Sequence, residues 1–133
     1  MNEQINPTKL ADPVGFSYAV RSDGGKIVWL GGHVSFDKGG FIVHGGDMVA
    51  QFRQTLANMQ VTVRESGGEL TDIVKMTIFT TDKRSYKIAL KELGSVYREF
   101  FGKYFPAMTL VEVKSLFEDE ALVEIDAIAV INR

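Results

Sequence analysis

Residues Ala121–Asn132 read Ala-Leu-Val-Glu-Ile-Asp-Ala-Ile-Ala-Val-Ile-Asn, and two interleaved rows run through them. Ala121, Val123, Ile125, Ala127, Ala129 and Ile131 form one row at period two. Leu122, Ile128 and Val130 belong to the other, interrupted by Glu124 and Asp126. A strand apolar on both rows is normally central and covered on both faces. Alternation places Glu124 and Asp126 on one face, about 7 Å apart along the strand. A carboxylate there must be hydrogen-bonded, paired or turned into a watered cleft. Two readings stay open: ordinary solvated or ion-paired carboxylates, or a water-holding, proton-transferring group in a cleft.

Upstream, Asn6-Pro7 and Asp12-Pro13 mark an extended lead-in. Phe16–Arg21 and Lys26–Leu30 are predicted strands, joined as a hairpin across Ser22-Asp23-Gly24-Gly25. Gly31-Gly32 at the strand end signal a bulge or a close backbone approach. The strand is expected to run on through Phe36, with Phe41–Val43 as a short edge strand. Asp47 is a predicted N-cap, and Val49, Phe52, Leu56, Met59 and Val63 make the apolar stripe of a helix that Gly67-Gly68 terminate. Ile73–Thr81 follows as a strand. A second helix is expected over Ser85–Lys103, burying Tyr86, Leu90, Leu93, Tyr97, Phe100 and Phe101, with Gly94 weakening its middle. Lys83, Arg84, Lys87 and Lys91 form its basic outer face, and Phe105-Pro106 stops it. Ala107–Val113 and Ala121–Asn132 are the last strands. This order predicts an α+β fold, a mixed sheet with two helices on one face. Two helices cover one face only, so an oligomer is expected to cover the other.

At 133 residues, 45% hydrophobic and 24% charged, the chain suits one globular domain spanning 1–133. A net charge of −2 gives no electrostatic footprint for nucleic acid, which is not an expected partner. Without cysteine there are no disulfides, thiolate nucleophiles or cysteine-bearing metal sites. No signal peptide or membrane-length apolar run is visible, so a cytoplasmic location is expected.

Five Gly-Gly pairs match no nucleotide fingerprint and read as turn chemistry. His33, Ser35 and Asp37 look superficially like a triad but share one face of one strand, whereas triads assemble from separate elements. His33 and His44, the only histidines, stand at no metal-ligand spacing.

Several pieces together resemble the Rid family (reactive intermediate deaminase, also called YjgF or the L-PSP endoribonuclease family). They are Phe16–Val20, Gly31-Gly32-His33, Gly46-Asp47 with Gln51 and Gln54-Thr55-Leu56, Asp72–Lys75, Phe79–Asp82, Pro106-Ala107 with Thr109 and Val111-Glu112-Val113, and Val123–Ala127. The resemblance covers about residues 12–132. It implies a fold like bacterial-type chorismate mutase, a homotrimer whose sheets face an internal barrel, and small-molecule clefts between subunits. Deaminating members hydrolyse enamines and imines without metal or cofactor. They hold a substrate carboxylate with an arginine, and a late glutamate positions the water.

Carried over by position, the glutamate falls on Glu124. Backbone contacts fall on Gly31, Gly32, Thr109 and Leu110, and the cleft wall on Phe16, where tyrosine is usual. His33 stands where glutamine is usual. The arginine falls on Met108, which cannot make a charge-assisted bidentate contact worth roughly 1.5–3 kcal/mol. Arg84, reaching from a neighbouring subunit, is a candidate replacement. The resemblance thus implies an enamine or imine hydrolase acting through Glu124. The alternatives are a non-catalytic small-molecule binder and, third, an endoribonuclease.

Overall fold

The computed structural model describes residues Met1–Arg133. In chain order the elements are β1 (Asn2–Ile5), β2 (Ala19–Ser22), β3 (Lys26–His33), α1 (Met48–Glu65), β4 (Ile73–Thr80), α2 (Lys83–Ile88), α3 (Leu90–Phe101), β5 (Ala107–Glu112) and β6 (Val123–Ile131). The main sheet has the order β3-β6-β4-β5, with β4 and β5 parallel and the other pairs antiparallel. β6 is central, as its two apolar rows require. The α+β class and the helices on one face are as expected.

Register separates the two faces. Leu30, Met76, Ile78, Met108, Leu110, Ile125 and Ala127 turn toward the helices. Trp29, Lys75, Thr77, Phe79, Thr109, Val111, Glu124, Asp126 and Ile128 turn the other way. The core lies on the helix side, where Phe52, Leu56, Met59 and Val63 of α1 meet Ile73, Met76, Ile78, Val123, Ile125 and Ala129. Each Val, Leu, Ile, Phe or Met side chain here contributes about 1.5–3 kcal/mol by leaving water. On the open face Trp29 is 73% exposed.

Local signals explain the helix ends. The Asp47 carboxylate accepts from Ala50 N at 3.0 Å, capping α1, and Gly67 closes its C-terminus at φ +93°. Asp82 caps α2 in the same way through Ser85 N at 2.9 Å.

Four expectations are corrected. The hairpin predicted across Ser22–Gly25 does not form: β2 pairs with β1, and Gly24 and Gly25, at φ +78° and +112°, turn the chain into β3. The lead-in contains β1, whose side chains Asn2, Glu3 and Gln4 carry no apolar alternation. Asn2 Nδ2 donates to Val130 O at 2.9 Å, and Ser17 N donates to Pro106 O at 3.0 Å, tying the β1–β2 ribbon across the sheet's end. Phe41–Val43 is not a strand; a single bridge joins Phe36 and Ile42, and Asp37 closes the loop by accepting from Phe41 N. The second helix is two pieces that meet at Ala89, whose φ of −88° and ψ of 8° interrupt the helical backbone. Gly94 sits inside the continuous α3 and breaks nothing. No helix is long and apolar enough to cross a membrane.

Candidate functional site

Glu124 sits on the open face of β6, opposite Phe79 of β4, and is half-buried. On its other side β3 is irregular: the register slips between Leu30 and His33, leaving Gly31 and Gly32 in a bulge. The Glu124 carboxylate occupies the space over Gly32 where any other residue would place its Cβ. Gly32 does not have a positive φ, so close approach, rather than backbone conformation, is what calls for glycine there. No hydrogen bond or ion pair within the chain engages this carboxylate. It is free to accept from a water or a ligand. Asp126 follows on the same face, opposite Thr77.

A buried side chain fixes where β6 begins. Gln51, fully enclosed in α1, donates through Nε2 to Glu120 O at 2.9 Å and His44 O at 3.2 Å, and accepts from Leu122 N at 2.8 Å. Thr80 Oγ1 adds a bond to Leu122 O at 2.8 Å. The entry to β6, two residues before Glu124, is thereby pinned to both α1 and β4. The sequence offered Gln51 only as part of a family resemblance; a buried glutamine in an apolar stripe is the signal that could have found this role.

His33 points to the helix side. Its Nδ1–H donates to Gly31 O at 2.8 Å, and in the neutral ring Nε2 accepts from the Thr62 hydroxyl at 2.8 Å. Both ring nitrogens are engaged in joining the bulge to α1. Ser35 and Asp37 do not join it: Ser35 Oγ donates to Val43 O, and Asp37 organises its own loop. No three His, Asp or Glu side chains converge to form a metal-binding cluster.

The remaining positions gather at the other edge of the sheet. Ser17 pairs with Ala107, so Phe16 is held beside the start of β5, its ring edge-to-face with Tyr18 at 5.1 Å. Thr109 lies on the open face and accepts from Lys75 Nζ at 2.9 Å. Met108 and Leu110 turn to the helix side. Arg84 is exposed on the first turn of α2, outside the pocket that Met108 lines. Within one chain the candidates thus fall into two groups. Gly31, Gly32 and Glu124 lie on the β3–β6 side, and Phe16, Met108, Thr109 and Leu110 on β5, with β4 between them. Two strand spacings, about 9.6 Å, separate β5 from β6.

The family model described as Endoribonuclease L-PSP matches residues 8–131. A RutC family protein of Pyrococcus horikoshii is 34% identical over 131 residues, covering 97% of this chain and 98% of its own. Among solved structures, YyfB of the conserved Rid protein family from Yersinia pestis is similar at a TM-score of 0.88, with 28% identity and 98% of each chain covered. The YjgF gene product of E. coli is similar at a TM-score of 0.67, with 32% identity over 89% of this chain and 88% of that one.

Proposed function

The chain belongs to the endoribonuclease L-PSP family, the Rid and YjgF group, and from that premise we propose that it hydrolyses a small enamine or imine with a water held by Glu124. The observation that carries this reading is the Glu124 carboxylate itself, half-buried over the bare Cα of Gly32 with no partner in the chain. A carboxylate so placed is a general base in waiting. An enamine first becomes the iminium ion by taking a proton from solvent at carbon, and an imine does so by taking one on nitrogen. Glu124 takes a proton from water as the oxygen adds to the iminium carbon. The neutral carbinolamine receives that proton on nitrogen and collapses: the C–N bond breaks, and the hydroxyl proton passes to the carboxylate and back to solvent, giving a carbonyl compound and ammonia. Atoms balance with water alone.

The reading places the cleft between subunits of a trimer. Two observations support it: the candidate residues split between the two edges of one sheet, and the open face exposes Trp29 beside Ile128. In such an assembly the β5 edge of one copy meets the β3–β6 side of the next, and Arg84 can serve the neighbour's cleft as its cation. A second reading, a binder without turnover, draws on Met108, which replaces a cationic anchor with an apolar side chain on the helix side of β5. Ammonia release from enamines generated in situ decides between them. Release abolished by Glu124→Gln supports the hydrolase. No release above the uncatalysed rate, with ligand binding retained, leaves the binder.

A further inference from the structure

The pocket that Met108 lines, about 390 Å³, opens on the helix side between α2–α3 and the β4–β5 floor. It falls within the size range of small-molecule sites. Its floor is Ile78 and Met108, and Gly94 lies in its helical wall. A Cβ on Gly94 would meet nothing nearer than Arg98 Nη1 at 3.4 Å, so the missing side chain is part of what keeps the cavity open.

The polar side chains lining this cavity are two phenols and two cations. Tyr86 is 9% exposed, and its ring is held edge-to-face on Phe52 at 6.2 Å. Its hydroxyl has no hydrogen-bond partner in the chain, and burial pushes it up to about 12. Lys91 and Arg98 stand at the rim, and neither belongs to any of the chain's four ion pairs. The Tyr97 hydroxyl is already donating to Tyr104 O at 2.6 Å. No carboxylate, carboxamide or aliphatic hydroxyl side chain lines the cavity. The unbonded Tyr86 hydroxyl is open to a ligand, and an apolar hollow rimmed by two cations outside the chain's ion pairs suits an anion with an apolar body.

We propose that this cavity binds a monocarboxylate with a medium-sized aliphatic or aromatic body, its carboxylate held at the Lys91–Arg98 rim and its body seated on Met108 and Ile78. The Tyr86 hydroxyl donates to an oxygen of the ligand. The site is independent of the reaction proposed for Glu124, which lies on the opposite face of the sheet. Met108 is then a floor residue of an apolar site, and the cations near it come from α3 of the same chain.

The test is calorimetric titration of the full chain with octanoate, its neutral counterpart octanamide, and acetate. Octanoate is expected to bind at least tenfold more tightly than octanamide, and acetate not at all. Gly94→Leu fills the cavity from a helical position with room for a side chain; it should abolish octanoate binding without lowering the melting temperature. Arg98→Gln should weaken octanoate about five- to tenfold and leave octanamide unchanged. Tyr86→Phe should weaken both. Glu124→Gln, which removes the proposed hydrolysis, should leave octanoate affinity as it was. Equal affinity for acid and amide, no binding of octanoate at millimolar concentration, or binding that survives Gly94→Leu would each overturn the proposal.

Discussion

The Glu124 carboxylate lies against the bare Cα of Gly32: a Cβ built there would overlap Oε2 and stand 2.9 Å from Cδ and 3.2 Å from Cγ. The glycine on β3 and the glutamate on β6 are therefore one unit, and the bulge in β3 exists where that carboxylate needs room.

Gly32→Ala tests the unit. The blocking atoms belong to a flexible side chain, so Glu124 can swing aside and the fold should survive with a stability change within about 1 kcal/mol. Ammonia release should fall about 100-fold, because a displacement near 1 Å costs that much at a reacting centre. An alanine variant with normal melting temperature and undiminished turnover would dissociate the two residues.

Glu124→Gln keeps shape and removes the base, so turnover should drop about 10²–10⁴-fold while the oligomeric state and melting temperature hold. Asp126→Asn, one pleat further along the same face opposite Thr77, should change turnover only a few-fold. If the Asp126 variant were the more damaged, the water would have to be assigned there instead.

The legible and illegible parts of this chain differ in the range of the forces that make them. Asp47 and the α1 stripe are local, and β6 announces its central place by its two apolar rows, so both could be read from sequence. Gly31-Gly32 could be read as a bulge or close approach, and the structure shows both. The β1–β2 ribbon could not be foreseen: it depends on polar side chains far apart in sequence, with the Ser17 hydroxyl set between Gln4 Oε1 at 2.9 Å and Phe105 O at 2.7 Å. Gly24 and Gly25 signalled a turn correctly but not which strands would pair around it. Gly94 looked like a weak point in a helix. Only the fold reveals that its missing side chain faces Met108 across a hollow.

Asp72 and Arg133 predict a pH dependence. Burial alone would raise the Asp72 carboxyl, but the Arg133 guanidinium, at 2.7 and 2.8 Å, and the Glu69 amide, at 2.8 Å, outweigh it and hold it below its ordinary value. A carboxyl depressed in the folded state contributes stability that is present above its unfolded value, near 3.9, and lost as pH falls through the folded one. Arg133 is largely exposed, so solvent screening keeps the contribution of the pair small. Arg133→Gln should lower the melting temperature by a few degrees at pH 7, and the gap should close as the pH is taken below 4. A gap independent of pH would mean that Arg133 acts through packing alone.

Trp29 is the chain's single tryptophan and stands 73% exposed on the open face, in register with Ile128. If three copies close their sheets around a common interior, this indole is covered in the assembly and bare in the isolated chain. Its emission should then be blue-shifted and poorly quenched by iodide at micromolar concentration, where light scattering should give three times the chain mass. Trp29→Lys places a charge on the same face, and burying three of them together is costly. That variant should sediment as a monomer and lose ammonia release, because the β5 edge of one copy no longer reaches Glu124 of the next. Its octanoate binding should persist, since that cavity is complete within one chain. A monodisperse wild-type monomer with a water-exposed tryptophan would remove the trimer and, with it, the cleft between subunits.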